Sequence, residues 1–228
     1  MKIKHKVLLP FMVVFLLSTC LFSFSKGTIV LTINKIHTSF LDRFFAGISS
    51  IGNTMSIFLF LAIVLRYKLK FLYFFVLAFL IESAIVILCK NFIFDGHPRP
   101  YLLFEAKGIL SKINFVEGVR VHKRDSFPSG HTAYAFLIAT FFALKIKKIL
   151  PAIGLCLFAI LVGISRMYLF QHFFIDVFGG AMVGFSSAYL AIVLVKKSRK
   201  KSWYNKKIRF NPTRKNWFEL TPEIHEVF

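Results

Sequence analysis

Acidic residues are scarce in this chain: 10 stand against 30 lysines and arginines in 228 residues, a formal net charge of +20. An imbalance of that size raises nucleic-acid binding as a function class. The basic residues nevertheless lie in short clusters at the ends of apolar runs and in the C-terminal tail. That is the pattern of membrane topology signals and of attraction to anionic headgroups, so no nucleic-acid partner is expected. Cysteine is scarce as well. Cys20, Cys89 and Cys156 lie far apart, in or at the edge of apolar runs, and no C-x-x-C spacing occurs. That spacing gives no metal site, a structural disulfide is not expected, and the three read as small packing residues. The acids beside the polar motifs of the chain are single, so neither a metal nor a cofactor is expected.

What the chain has in abundance is apolar length. Apolar residues make up 57% of it, and phenylalanine alone occurs 30 times. The excess falls in runs of about 18 to 24 residues, the length a helix needs to cross roughly 30 Å of hydrocarbon. Hydropathy predicts six spans: Val7–Phe24, Ile51–Leu65, Phe71–Cys89, Thr132–Leu144, Ile149–Ile164 and Phe173–Val195. The second and fourth are short as drawn, and each is expected to extend through small or polar neighbours at its outer end. The fold expected is therefore an all-α polytopic bundle of about six antiparallel transmembrane helices with a helical outer loop. It occupies residues 1–195, and a basic cytoplasmic tail follows at 196–228. The first span ends near Leu17-Ser18-Thr19-Cys20, where Thr19 fits a lipoprotein cleavage site poorly, so an uncleaved helix is expected. Thr28–Ser50 reads as an interfacial helix with no chemistry implied, Phe40, Leu41, Phe44 and Phe45 facing one way and Asp42 and Arg43 the other.

Charge sets the orientation. With the N-terminus in the cytoplasm, Met1–Lys6, Arg66–Lys70, Lys145–Lys148 and everything after Val195 lie inside and hold 19 of the 30 basic residues. The three short inner segments contain no acid at all. Both termini are thus expected in the cytoplasm. The long connection Lys90–Phe127 and the short one around Arg166–His172 then fall outside, and a loop as long as the first is usually functional.

Three polar clusters stand at the outer helix ends: Lys90 with Arg99-Pro100, then Pro128-Ser129-Gly130-His131, then Ser165-Arg166 with His172 and Asp176. Together they resemble the three-part signature of the type-2 phosphatidic acid phosphatase superfamily, K-x6-R-P, P-S-G-H and S-R-x5-H-x3-D. The second and third parts match at every fixed position and spacing, and the resemblance runs from about Phe71 to Val195. The first part departs from the pattern. Eight residues separate Lys90 from Arg99, and His97-Pro98 stands where Arg-Pro is expected. Arg99-Pro100 is taken as the equivalent pair, because a phosphate is best met by a guanidinium fork, the two extra residues being absorbed as a loop bulge.

The residue types suit that chemistry. His172 and Asp176 are four apart and share one face of the last helix. A carboxylate there can keep one ring nitrogen protonated and the other free to attack. Ser129, after a proline and before an apolar run, reads as a helix N-cap, with the amides of Ser129, Gly130 and His131 forming an anion site. By resemblance His172 becomes a phosphohistidine, Asp176 orients it, and His131 protonates the leaving oxygen. Lys90, Arg99 and Arg166 supply positive charge to the transferring phosphoryl group. The resemblance also implies metal-independent hydrolysis.

Other residues carry weaker signals. His97 and His122 lie in the outer loop without a motif position. Glu82 falls inside the third span, where a structural polar network is the favoured reading. Gly180 and Gly184 have the spacing that lets helices pack closely. Lys196–Lys201 and Lys206–Arg209, with Trp203, Tyr204 and Trp217, read as a surface-binding basic segment. The function expected is a bacterial inner-membrane phosphatase acting on a lipid phosphomonoester or pyrophosphate at the periplasmic face. By resemblance its substrates are lipid A, undecaprenyl pyrophosphate, phosphatidylglycerol phosphate or phosphatidic acid. The alternatives are a lipid phosphotransferase and a catalytically silent phospholipid-binding bundle.

Overall fold

The structure, a computed structural model, describes residues 4–53, 56–197, 207–210 and 218–221. Helix α1 (Leu9–Ser18) is flanked by 3-10 turns at His5–Leu8 and Thr19–Ser23, which together make one helical run. Two short helices follow, α2 (Thr28–Asn34) and α3 (Ser39–Ile51), then α4 (Ile57–Leu65) and α5 (Leu69–Leu88). A π-helical turn at Cys89–Ile93 prolongs α5 into the outer loop, which holds α6 (Pro100–Ala106). The bundle closes with α7 (Gly130–Ile146), α8 (Ile149–Tyr168) and α9 (Phe174–Lys197). Beyond it, β1 (Lys207–Phe210) pairs antiparallel with β2 (Phe218–Thr221). The basic stretch 198–201, Lys206, Trp203, Tyr204 and Trp217 lie outside the described residues.

Helix α7 is the axis of the molecule. It packs against α9, α8 and α5, and every residue from Thr132 to Leu144 is buried. Its 17 residues rise only about 25 Å, a length sufficient for a helix that protein rather than lipid surrounds on all sides. Phenylalanines fill the seams: Phe11 and Phe15 of α1 lie against Phe136 of α7 and Phe185 of α9, and Phe74 of α5 meets Phe141 of α7 with centroids 4.5 Å apart. Glycine brings α9 up to α7. A Cβ at Gly180 would lie 2.4 Å from the Ser129 carbonyl oxygen, and one at Gly184 only 1.9 Å from that of Ala133.

The helical character agrees with the hydropathy, but the segments differ in length. Among the described residues four helical runs are long and apolar enough to cross a membrane alone: His5–Ser23, Leu69–Ile93, Ile149–Tyr168 and Phe174–Lys196. The expected span Ile51–Leu65 is interrupted, since α3 ends at Ile51, Gly52 and Asn53 turn, and α4 has nine residues. Nine residues rise about 14 Å, less than half the hydrocarbon thickness. The expected interfacial helix is also two helices. Asn34 is held by the outer loop, its side chain donating to the Asn114 carbonyl (2.7 Å) and accepting from the Asn114 amide (3.0 Å). The chain then turns, and Thr38 caps α3 by accepting from the Leu41 amide at 3.2 Å.

Candidate active site

The residues of all three motifs converge at one end of the bundle. Lys90 lies in the π-turn after α5, Arg99 precedes α6, Gly130 and His131 open α7, Arg166 lies in the last turn of α8, His172 comes two residues before α9, and Asp176 lies in its first turn. The connection between α8 and α9 shows why that last spacing works. The amides of Gln171 and His172 both fold back onto the Arg166 carbonyl, at 2.9 and 3.2 Å. Phe170 makes the reversal at φ +60°, with its ring buried between Phe104 and Phe115. The histidine six residues after the arginine is thereby returned to its side.

His172 is buried, with Nε2 3.2 Å from Nη1 of Arg99. On its other side Nδ1 lies 3.7 Å from Oδ2 of Asp176, an ion-pair distance longer than a hydrogen bond. The carboxylate is engaged elsewhere. Oδ2 accepts from Ser126 Oγ at 2.5 Å and from the Phe173 amide at 2.9 Å. The second contact is the reach of a third helical residue back to the N-cap amide, as in a capping box. Asp176 thus joins the start of α9 to the outer loop as well as facing His172. Burial drives the pKa of His172 well below its ordinary value, the charges of Arg99 and Arg166 push the same way, and Asp176 opposes them.

The three cations are held from behind. Arg99 donates through Nε to the Arg124 carbonyl (2.7 Å), through Nη1 to Gln171 (3.1 Å to its carbonyl) and through Nη2 to the Asp125 carbonyl (3.2 Å). Lys90 Nζ donates to the same Asp125 carbonyl at 2.8 Å. Asp125 presents that oxygen from a left-handed backbone, φ 58°, while its side chain accepts from the Gly96 amide at 3.1 Å. The π-turn and the Gly96 turn accommodate the eight residues between Lys90 and Arg99. Burial lowers the Arg99 pKa from its ordinary value, against the pull of Asp176 and Asp125. Buried Arg166 gives Nη1 to Ser49 Oγ, and its Nε has no partner among the described residues.

The N-terminus of α7 differs from expectation in one respect. Ser129 occupies the N-cap position, but its hydroxyl pairs with Thr132 Oγ1 at 2.9 Å and caps no amide. Its own amide donates to the Asp176 carbonyl at 2.9 Å, tying α7 to α9 rather than facing an anion. Gly130 and His131 retain first-turn amides that have no intrahelical acceptor. His131 is partly exposed and stands within electrostatic reach of Arg166, Arg99, Lys90 and His122. His122 is exposed, and its pKa is lowered by partial burial and by Arg99 and Arg120. Glu82 is buried in α5 beside Ser83. Among the described residues no three His, Cys, Asp or Glu side chains gather as a metal site would require.

Residues 67–200 match the model of the PAP2 superfamily. The chain belongs to that superfamily. Among curated PAP2-type relatives, lipid phosphate phosphatase 1 of Arabidopsis thaliana is 35% identical over 108 residues, 41% of this chain and 32% of that protein. Phosphatidylglycerophosphatase B of Bacillus subtilis is 36% identical over 113 residues, 42% of this chain and 54% of the relative. The matched stretches thus span about a third and about half of those proteins. The crystal structure of LpxE from Aquifex aeolicus superposes with a TM-score of 0.64 at 30% identity, covering 74% of this chain and 94% of the other. The PAP2-type phosphatidylglycerolphosphate phosphatase of B. subtilis shares the fold, with a TM-score of 0.59 at 24% identity over 86% and 98%. This is an integral membrane protein of the PAP2 fold.

The motifs do not include Ser126, Ser49 or Gln171. Ser126 precedes the P-S-G-H motif by one residue, yet nothing in the sequence marks a loop serine as the partner of Asp176. Ser49 lies in α3, whose sequence carries no motif. Gln171 adjoins His172, and its Nε2 donates to the Arg120 carbonyl at 3.0 Å.

Proposed function

We propose that this PAP2 protein hydrolyses the phosphomonoester or pyrophosphate of a membrane lipid through a phosphohistidine on His172. One observation carries the reading. A buried imidazole presents Nε2 toward Arg99, while a second buried guanidinium, Arg166, keeps a donor that no atom of the described residues accepts. Buried donors left open around a nucleophile suit an anion that arrives with the substrate.

Lys90, Arg99, Arg166 and the amides of Gly130 and His131 hold the phosphoryl oxygens. Nε2 of His172 attacks phosphorus as the bond to the leaving oxygen breaks, and His131 gives that oxygen its proton. The carboxylate of Asp176 stabilises the charge that develops on the ring, its separation from Nδ1 shortening as the substrate binds. Water then attacks the phosphohistidine, its proton passes to His131, the N–P bond breaks, and inorganic phosphate leaves. The cations do the electrostatic work, so hydrolysis proceeds in EDTA. Both Lys90 and Arg99 converge on the Asp125 carbonyl, which supports catalysis over a silent lipid-binding bundle despite the altered spacing.

Lysines gather at the opposite end of α7. Lys4, Lys6 and Lys147 line one cavity there, and Lys145 sits 4.1 Å over the Tyr67 ring. This supports cytoplasmic termini and a periplasmic site in a bacterial inner membrane. The relatives' names and the outward site favour envelope lipids: phosphatidylglycerol phosphate, lipid A, undecaprenyl pyrophosphate or phosphatidic acid. The test is phosphate release from these four lipids by detergent-purified protein in EDTA, beside His172→Ala. Release that falls at least about a thousandfold in a variant melting like the wild type is expected. Release that persists in the variant would overturn the mechanism, and a folded wild type inert toward all four would overturn the phosphatase reading. Phosphate recovered on an acceptor other than water would identify a transferase.

A further inference from the structure

Beside the reaction centre, an apolar cavity of about 480 Å³ opens between the turn after α1, α2 and the start of α9. Phe94, Phe127, Phe173 and Phe174 supply much of its wall. A second cavity of about 190 Å³ lies deeper, between α1, α7, α8 and α9, and shares Leu21 and Phe174 with the first. Sharing those two walls they adjoin, and a chain that parted Leu21 from Phe174 would follow an apolar path from near the site into the bundle.

Three polar side chains in this lining are not used by the hydrolysis: Ser25, whose hydroxyl pairs with that of Thr28 at 2.6 Å, Lys26 and His97. Lys26 Nζ lies 3.4 Å from His97 Nε2 and 4.7 Å from the centroid of the Phe173 ring. Lys26 is exposed and has no carboxylate partner among the described residues. Both groups are tied to the backbone that holds the catalytic pair. Phe173 follows His172 directly and donates its amide to Asp176. The His97 carbonyl accepts from the amide of Ser126, whose hydroxyl holds the same carboxylate. An ammonium and an imidazole facing each other without an acid between them can both donate to one shared anion. That anion would sit beside the reacting phosphate and above an apolar path.

We propose that Lys26 and His97 form a second anion subsite. The substrate is then a lipid with two anionic groups in its headgroup. One is hydrolysed at His172, the other is held by Lys26 and His97, and a hydrocarbon chain lies in the cavity. This rests on the phosphatase reading and narrows its substrate class. The competing account of Lys26 is a snorkelling anchor at headgroup level, which would act on every lipid alike.

The experiment compares kcat/KM within two pairs of lipids matched in chain, using the full protein in mixed micelles. One pair is phosphatidic acid and phosphatidylglycerol phosphate, the other an isoprenyl monophosphate and its pyrophosphate. The wild type is expected to prefer the doubly anionic member of at least one pair. The pair concerned tells whether the second group is a diester or the lipid-linked phosphate of a pyrophosphate. Lys26→Ala is expected to reduce that preference by about ten- to a hundredfold, and His97→Gln by about tenfold, as for loss of a charge-assisted hydrogen bond. Filling the path with Leu21→Trp is expected to abolish any gain in KM from lengthening the chain. No preference in either pair, or equal losses on both members, overturns the subsite. No turnover of any lipid by folded wild type overturns the phosphatase reading instead. The same pairs measured by equilibrium binding to His172→Ala, with and without Lys26→Ala, test the subsite independently of turnover.

Discussion

Gly184→Ala probes the architecture of the site from a position that carries no chemistry. A Cβ at Gly184 would meet the Ala133 carbonyl oxygen at 1.9 Å and the Leu137 amide nitrogen at 2.8 Å. Both are backbone atoms of α7, which no rotamer change can move aside. A carbon–oxygen contact closes at about 3.3 Å, so α9 must retreat from α7 by roughly 1.4 Å at this level. Overpacking of that kind costs about 1–3 kcal/mol. The functional loss is expected to be larger in proportion. His131 travels with α7, His172 and Asp176 belong to the start of α9, and the 2.9 Å bond from the Ser129 amide to the Asp176 carbonyl spans the gap. A displacement of about 1 Å between reacting groups can lower a rate on the order of a hundredfold. Phosphate release and thermal melting in detergent check this, with Gly154→Ala on α8 as the control, since a Cβ there meets nothing within 4 Å. A Gly184→Ala protein with wild-type melting and wild-type rate would refute the account of α7–α9 contact as the element that aligns the site.

Ser126→Ala removes the 2.5 Å bond to Asp176 Oδ2. A buried hydrogen bond to a charged acceptor is worth about 1.5–3 kcal/mol, so kcat is expected to fall about ten- to a hundredfold with KM little changed, because Ser126 meets the carboxylate and not the substrate. A fall confined to KM would contradict that placement. The pH dependence follows from His172, whose pKa burial depresses from the ordinary 6.5. In the proposed mechanism only the unprotonated ring attacks, so on the acid side activity is lost as pH falls through the depressed value. The acid limb of kcat/KM, which reports the free enzyme, is expected below pH 6.5. A midpoint at or above that value would mean that another group controls the limb or that His172 is not desolvated.

The site was legible to different depths. P-S-G-H and S-R-x5-H-x3-D identify residues that the fold brings together, because each motif is local: a helix start, or a helix end with its return turn. Guanidinium geometry favours Arg99 over His97 as the partner of a phosphate, and the structure sets Arg99 against His172 while His97 lies beside Lys26. The double duty of Asp176, facing His172 and capping α9, is invisible to an i, i+4 argument, since both roles use the same carboxylate. Ser49 under Arg166 and Ser126 under Asp176 lie 117 and 50 residues from their partners. No local pattern records such distances.

Composition and hydropathy determined by themselves that this is a helical membrane protein, because apolar runs of that length and basic clusters at their ends respond to water and lipid before any tertiary contact forms. The motifs likewise determined which end of the helices gathers the polar side chains. Tertiary structure alone decided how far each helix runs, as where protein around α7 replaces lipid, and which hydroxyls and carbonyls hold the charges. Those choices depend on which backbone faces which across the α7–α9 seam. That proximity is set by two glycines whose spacing permits the approach, while only the packed bundle specifies the partner.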